Sequence, residues 1–107
     1  MEPAKPLNVA IVGGGPGCKA IMDMIFADKL SQLHMKLIGV ASTHRESVGY
    51  QYAQEQGIHT TEDYRDLYKL KNLDMIIELT GRDELANEIY LSKPERIRVM
   101  EDRKSVV

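Results

Sequence analysis

The sequence lacks the features that define several classes of protein. Its 107 residues include a single cysteine, Cys18, which excludes a disulfide framework within the chain and fits a reducing compartment. No apolar run approaches the ~20 residues that a bilayer-spanning helix needs. The amino terminus, MEPAKPLNVA, lacks the layout of a signal peptide, because its apolar stretch continues directly into glycines. These absences predict a cytoplasmic domain that makes no membrane contact.

Charged residues of the two signs are present in nearly equal numbers. The chain has 14 Lys and Arg against 16 Asp and Glu, a formal net charge of −2, with no basic cluster that would suit nucleic acid. The histidines, His34, His44 and His59, are scattered, and without a second cysteine they suggest no metal site. No Ser-His-Asp pattern can be argued either, and the sequence assigns no catalytic residue.

Apolar segments of two kinds alternate along the chain. Short runs rich in β-branched residues predict strands, and stretches with apolar residues at helical spacing predict helices between them. The predicted strands are Leu7–Val12 and residues 36–41, 58–60, 73–80 and 97–100. The predicted helices begin at Pro16, cover residues 46–56, follow a cap at Thr61, and cover Asp83–Ser92, with Gly57 and Pro94 as stops.

This alternation predicts an α/β fold. We expect a three-layer αβα domain around a five-stranded parallel sheet with right-handed crossovers and the strand order 3-2-1-4-5. The winding of such a sheet reverses between strands one and four, and ligands bind beyond the carboxyl ends of the strands at that switch point. Residues 7–107 are therefore predicted to form a single Rossmann-like dinucleotide-binding domain, cut from a longer protein and preceded by a flexible lead-in at residues 1–6.

A glycine-dense loop, in the stretch LNVAIVGGGPGCKA (residues 7–20), follows the first strand at the predicted switch point. Read as G-x-G-x-x-G, it places Gly13 at the tight turn and Gly15 where the backbone would approach a pyrophosphate. Cys18 occupies the third position, where a small residue lets the helix pack on the strand, and is a partial match. We predict that the whole loop binds the cofactor through Gly13, Gly14, Gly15, Pro16, Gly17 and Cys18.

Other interpretations of the loop fit less well. A P-loop would need glycine at Cys18 and a hydroxyl at Ala20. Gly13, Gly15 and Gly17 would suit an S-adenosylmethionine site, and GGGPG is similar to flavoprotein loops, but the acidic residue that both expect after strand two is missing. The structural alternative is that the glycines only form a tight turn and that Cys18 is a small packing residue rather than a reactive thiol.

The residues after strand two bear on the choice of cofactor. They read ASTHR, residues 41–45, with no carboxylate before Glu46, whereas NAD-selective domains carry Asp or Glu at this point. Ser42 and Thr43 can donate hydrogen bonds to a phosphate, and Arg45 offers a bidentate fork. The predicted cofactor is therefore NADP(H) or NAD(H), with NADP(H) preferred, unless Ser42 or Thr43 merely caps the next helix.

The residues after strand four, within IELTGRD (77–83), are predicted to form the other wall of the cleft. We expect the Thr80 hydroxyl and the Gly81 backbone to lie beside the second ribose or the nicotinamide. Glu78 interrupts an apolar strand and needs a partner if it is buried. We therefore interpret Glu78 as a paired structural carboxylate or a solvent-facing residue rather than a catalytic one.

Three stretches of the chain together carry a resemblance to a known family: KLIGVAS, GIHTTEDYRDLYKLKNLDMIIELTG and IRVMED. From its first strand to its fifth, the chain resembles the nucleotide-binding half of the glucose–fructose oxidoreductase and inositol dehydrogenase group. In that group, Ala-Ser with a nearby Arg at the end of strand two implies NADP, which agrees with Ala41, Ser42 and Arg45. The group usually shows Glu-Lys-Pro after strand five, with a catalytic lysine. Here the chain reads EDR from Glu101, so the resemblance implies that this lysine is absent.

The chain is more similar still to the N-terminal domain of bacterial signalling proteins that carry PAS and histidine kinase modules. GIHTTEDYRDL, LDMIIELTG and the stretch from Lys93 to Met100 carry this resemblance. It implies a sensory, regulatory domain that binds a nucleotide and reports to downstream PAS and kinase domains, and a homo-oligomer is compatible with that role. Two alternatives stay open: the nucleotide-binding half of an NAD(P)-dependent oxidoreductase without its substrate domain, and a protein-interaction domain that has lost its ligand.

Overall fold

The computed structural model describes residues 6–27 and 34–101. The predicted lead-in lies outside these ranges except for Pro6, and so do Asp102 and Arg103. Within the ranges, no helix is long and apolar enough to cross a bilayer. The strands are β1 (Leu7–Val12), β2 (Met35–Ala41), β3 (His59–Thr61), β4 (Met75–Glu78) and β5 (Arg98–Glu101). Between them lie α1 (Pro16–Phe26), α2 (Val48–Glu55), a 3₁₀ helix (Tyr64–Lys69) and α3 (Asp83–Ser92).

The five strands form one parallel sheet in the order β3-β2-β1-β4-β5. This order confirms the predicted fold, including the reversal of winding between β1 and β4. The sheet has helices on both faces, as parallel sheets require, because each crossover packs back onto the sheet.

The central strand β1 contributes to two hydrophobic cores, one on each face of the sheet. Val9 and Ile11 pack with residues of α1 and α2, whereas Ala10 and Val12 pack with residues of the 3₁₀ helix and α3. All four side chains are buried. A strand covered on both faces must be apolar at successive positions, which explains the uninterrupted run in the sequence.

The end of α2 confirms Gly57 as its stop. Gly57 has a φ of +74° and follows the C-cap residue Gln56. Its N–H donates a 3.1 Å hydrogen bond to the Gln54 carbonyl oxygen, and the Ile58 N–H donates a 2.9 Å bond to that of Ala53. These two bonds satisfy carbonyl groups that the end of the helix would otherwise leave without partners.

The segment after β3 differs from the prediction. Residues 64–69 form a 3₁₀ helix rather than an α-helix, and its cap is Asp63 rather than Thr61. The strand begins and ends one residue later than predicted, so Thr61 belongs to the sheet, where it pairs with Ala41, and the residue that precedes the 3₁₀ helix is Asp63. Asp63 Oδ1 instead accepts a 3.0 Å hydrogen bond from the Arg65 N–H.

The carboxyl ends of three strands lie level at the centre of the sheet. Val12, at the end of β1, is in register with Ala41 of β2 and Glu78 of β4. Beyond these positions, the Gly13 N–H donates a 2.8 Å hydrogen bond to the Ala41 carbonyl oxygen, and the Leu79 N–H donates a 2.9 Å bond to that of Val12. The loops after these strands therefore open to the same side, where the winding reverses.

Two apolar residues of α3 provide a test of the packing on this face. Ile89 is fully buried, while Leu91 is 83% exposed. We expect Ile89→Ala to lower the free energy of unfolding by about 2–5 kcal/mol, because it leaves a cavity between α3 and the sheet. Leu91→Ala should change it by less than about 0.5 kcal/mol. Urea denaturation followed by circular dichroism measures both, and equal effects would contradict the packing described here.

Candidate functional site

A cavity of about 700 Å³ opens at the carboxyl ends of the strands. Small-molecule sites span roughly 300–1,000 Å³, so its size suits an organic ligand. Its lining residues are 12–15, 41–44 and 62–65, together with Leu79, Thr80, Arg82 and Leu85. In the part of the chain that the structure describes, no group of three or more His, Cys, Asp and Glu side chains is placed to hold a metal ion.

Two glycines of the loop after β1 are required by the fold itself. Gly13 has a φ of +122°, which side chains rarely adopt, and a Cβ there would lie 3.3 Å from the Leu79 carbonyl carbon. A Cβ on Gly14 would lie 2.8 Å from Ser42 Oγ, and the Gly14 carbonyl oxygen accepts a 2.7 Å hydrogen bond from the Gly49 N–H. Turn geometry and close packing account for glycine at these two positions.

Neither turn geometry nor close packing requires a glycine at position 15. Its φ of −81° and ψ of −163° describe extended backbone that any residue adopts, and a Cβ there would meet no atom within 4 Å. Gly15 lines the cavity and directly precedes α1, whose N-terminus has neither a side-chain cap nor an acidic residue in its first turn. The missing side chain leaves room beside this helix N-terminus, where N–H groups favour an anion.

The remaining residues of the loop lie outside the cavity lining. Pro16 and Gly17 are the first two residues of α1, and Pro16 suits that position because its missing N–H needs no partner. Cys18 is buried in the core, where a Cβ on Gly49 would lie 2.8 Å from the Cys18 Cβ. Gly49 therefore makes room for the cysteine at the third position of the motif. Burial also raises the pKa of the Cys18 thiol to about 11.

The residues after β2 lie in two different places. Ser42 and Thr43 line the cavity, and neither caps α2, whose N-cap is Ser47. Arg45 does not line the cavity. Its Nε lies 4.0 Å from Oε1 of Glu62, which does line it. Arg45 therefore reaches the edge of the cavity beside a carboxylate that the sequence analysis did not assign.

The residues after β4 are organised around Glu78. Its side chain is buried, and its carboxylate accepts a 2.7 Å hydrogen bond from the Thr80 N–H and another from the Thr80 hydroxyl. The Thr80 hydroxyl oxygen in turn accepts a 3.2 Å hydrogen bond from the Arg82 N–H. Gly81, with a φ of +72°, forms the turn and lies outside the cavity lining. Glu78 is therefore a paired structural carboxylate that holds Thr80 at the wall.

Several lining residues were missed by the sequence analysis. Residues 62–65 follow β3, and Leu85 lies in α3. The Ser42 N–H donates a 3.0 Å hydrogen bond to the Thr61 carbonyl oxygen, so the loops after β2 and β3 are neighbours. The predicted strand order already placed the ends of strands two and three side by side, and that is the indication that could have found residues 62–65.

No protein-family model matches the chain, and no curated protein matches its sequence. Solved structures do match it. A protein assigned as an NADPH-dependent oxidoreductase from Desulfitobacterium hafniense has a TM-score of 0.66 and 18% identity, over 90% of this chain and 27% of that one. GenD2 from gentamicin A biosynthesis, solved in complex with NAD, has a TM-score of 0.60 and 18% identity, over 92% and 28%. Homoserine dehydrogenase from S. aureus has a TM-score of 0.61 and 19% identity, over 90% and 25%.

At these identities the likeness establishes the fold. The class that the fold defines is the Rossmann-like αβα domain, in agreement with the strand order and the glycine loop at the switch point. The three neighbours named above are a protein assigned as an NADPH-dependent oxidoreductase, a homoserine dehydrogenase and a protein solved with NAD, and the chain spans about a quarter of the length of each.

The Glu78 carboxylate should contribute to stability through its bonds to Thr80. Glu78→Ala leaves the half-buried Thr80 N–H and hydroxyl without their acceptor, and we expect a loss of about 1–3 kcal/mol in the free energy of unfolding. The matched control is Glu95→Ala, which removes an exposed carboxylate and should change stability by less than about 0.5 kcal/mol. Chemical denaturation measures both, and a neutral Glu78→Ala would contradict the structural role.

Cys18 should react slowly with thiol reagents in the folded protein. Its side chain is 1% exposed and its pKa is raised to about 11, so the thiol stays protonated at pH 8. A rise of about two pKa units lowers the thiolate fraction ~100-fold, and we expect labelling by a disulfide reagent to slow at least that much relative to the unfolded protein. Labelling in buffer and in guanidinium measures the ratio; rapid labelling of the native protein would contradict the buried position.

Proposed function

We propose that this domain binds a nicotinamide dinucleotide and holds its pyrophosphate over the glycine loop. The observation that supports this most is Gly15, a glycine with no conformational or packing need that lines a cavity of about 700 Å³. Any side chain there would take the space beside the N-terminus of α1. A diphosphate fits that space, because the helix dipole and the free N–H groups of the first turn favour negative charge.

The pyrophosphate would be held mainly by backbone groups. Residues 13–15 supply the loop, and the first turn of α1, with Pro16, Gly17 and Cys18, supplies the helix N-terminus. Cys18 would contribute its backbone N–H alone, because its side chain is buried in the core. The neighbour solved in complex with NAD supports a ligand of this class.

Two further groups of residues would hold the ribose units. We assign Ser42 and Thr43 to the adenosine ribose, and Arg45 to the edge where a 2′-phosphate would lie. Hydroxyl donors and a guanidinium favour NADP(H) at such a position, and one neighbour is named as NADPH-dependent. Thr80 would lie beside the second ribose, and Gly81 would form the turn that places it.

We infer that the domain serves an oxidoreductase. A bound nicotinamide would supply hydride transfer, and this chain would bind and orient the dinucleotide while a further domain holds the substrate. Two of the neighbours are named as an oxidoreductase and a dehydrogenase, and the chain spans about a quarter of their length. The sensory role beside PAS and histidine kinase modules stays a prediction from sequence resemblance, and these neighbours favour the oxidoreductase role over it.

Filling the space at Gly15 should weaken dinucleotide binding. Gly15→Val is expected to reduce the affinity for NADH and NADPH at least about tenfold, or ~1.4 kcal/mol, because the added side chain occupies the space beside α1. Valine is a poor N-cap and could also destabilise the helix. Gly15→Thr separates the two effects, because threonine has the shape of valine but caps a helix about as well as glycine does. Calorimetric titration measures affinity, and the melting temperature of Gly15→Thr should stay within about 3 °C of the original.

The matched control is Ala20→Val, which adds a branched side chain at an exposed position of the same helix. It should leave the affinity for both dinucleotides unchanged.

Thermal melts with NAD(H), NADP(H), ATP and S-adenosylmethionine test the ligand class, and the dinucleotides should give the largest stabilisation. No shift with any of them would contradict the proposal and favour a protein-interaction domain, and unchanged affinity in both Gly15 variants would contradict the placement of the pyrophosphate.

A further inference from the structure

We propose that Glu62 is a specificity-determining residue of the cavity, and that it opposes binding of a 2′-phosphorylated dinucleotide by competing with the phosphate for Arg45. The inference rests on the proposed dinucleotide function. It adds a determinant of cofactor choice from the loop after β3, whereas the residues assigned above follow β2.

The sheet brings Glu62 and Arg45 to the same edge of the cavity. Ala41 and Thr61 form the last register pair of β2 and β3, and the Ser42 N–H donates to the Thr61 carbonyl oxygen at 3.0 Å. The residues that follow the two strands are therefore neighbours in space. Glu62 lies on the same cavity lining as Ser42 and Thr43, the residues assigned to the adenosine ribose.

Glu62 and Arg45 form an ion pair at this edge. Arg45 Nε lies 4.0 Å from Glu62 Oε1, and the two side chains are 68% and 57% exposed. The other charged groups of this wall have different roles. Asp63 Oδ1 accepts a 3.0 Å hydrogen bond from the Arg65 N–H, and the Arg65 guanidinium lies over the Tyr64 ring, 5.6 Å from its centroid. In these two loops, the Arg45–Glu62 ion pair lies at the edge beside Ser42 and Thr43, where an incoming 2′-phosphate would disturb it.

The chemistry of the two cofactors gives the pair opposite effects on them. A phosphate monoester carries about −1.5 to −2 charges at pH 7, so it is attracted to the Arg45 guanidinium and repelled by the Glu62 carboxylate. Before Arg45 can bind the phosphate, it must exchange one anionic partner for another. The free 2′-hydroxyl of NAD(H) instead can donate a hydrogen bond to a carboxylate. Arg45 therefore favours NADP(H) and Glu62 favours NAD(H), and the original protein should discriminate weakly.

Calorimetric titrations of the whole chain with NADPH and NADH test this competition. Glu62→Gln should raise the affinity for NADPH about three- to tenfold, an effect of the size expected for exposed charges near a phosphate. The affinity for NADH should change little, because the Gln amide oxygen can still accept a hydrogen bond from the 2′-hydroxyl. Arg45→Gln should lower the NADPH affinity by a similar factor. In a protein that already carries Arg45→Gln, adding Glu62→Gln should raise the affinity for NADPH by a smaller factor, because the two residues act on the same phosphate. The gain should also shrink at high salt.

The matched control is Glu46→Gln, which removes an exposed carboxylate next to Arg45 in the chain but outside the cavity lining. It should leave the ratio of the two affinities unchanged. An equal gain in Glu46→Gln, or a gain in Glu62→Gln that persists undiminished without Arg45, overturns the competition. A Glu62→Gln protein that binds NADH but shows an unmoved ratio overturns the inference and leaves the proposed function standing, whereas failure of the original protein to bind either dinucleotide overturns both.

Discussion

The site depends on how the chain leaves the central strand. β1 ends between two parallel neighbours, and the next residue, Gly13, turns close to the Leu79 backbone with a φ of +122°. Only glycine adopts this conformation without strain. The Gly13 N–H bonds to the Ala41 carbonyl oxygen at 2.8 Å, so the turn stays close to the ends of the strands. The start of α1 is thereby held beside the loops after β2 and β4, and the space between these segments is the cavity.

Within one short loop, the glycines serve different purposes. Gly13 allows the turn and Gly14 allows close packing against Ser42, so both would be glycine in a domain with no ligand at all. Gly15 is different, because its backbone is ordinary and its surroundings are empty. Gly17, in the first turn of α1, is equally unconstrained but lies outside the cavity lining. A count of glycines therefore says little about binding, and it is Gly15, unconstrained by folding and placed at the cavity, that supports the proposed pyrophosphate site.

The sequence carried enough information for the fold but only for part of the site. The alternation of short apolar runs with segments of helical periodicity predicted the fold and its strand order. The helix Asp83–Ser92 has the bounds that were predicted for it, because acidic residues mark its first turn and Pro94 follows its end. The three-residue β3 shows no periodicity, so the cap was placed at Thr61 instead of Asp63. The ion pair of Arg45 with Glu62 depends on side-chain placement across two loops, which residue spacing along a chain does not encode.

The contact between α1 and α2 has a consequence for how this domain can change over evolution. A Cβ at position 49 would lie 2.8 Å from the Cys18 Cβ and also 2.8 Å from the Gly14 carbonyl oxygen. Reducing residue 18 to glycine would remove only the first obstacle, so position 49 stays closed to any side chain while the loop keeps its course. The two positions are therefore coupled in one direction: a smaller residue 18 would leave a cavity in the core, and its neighbour on α2 has no freedom to grow and fill it.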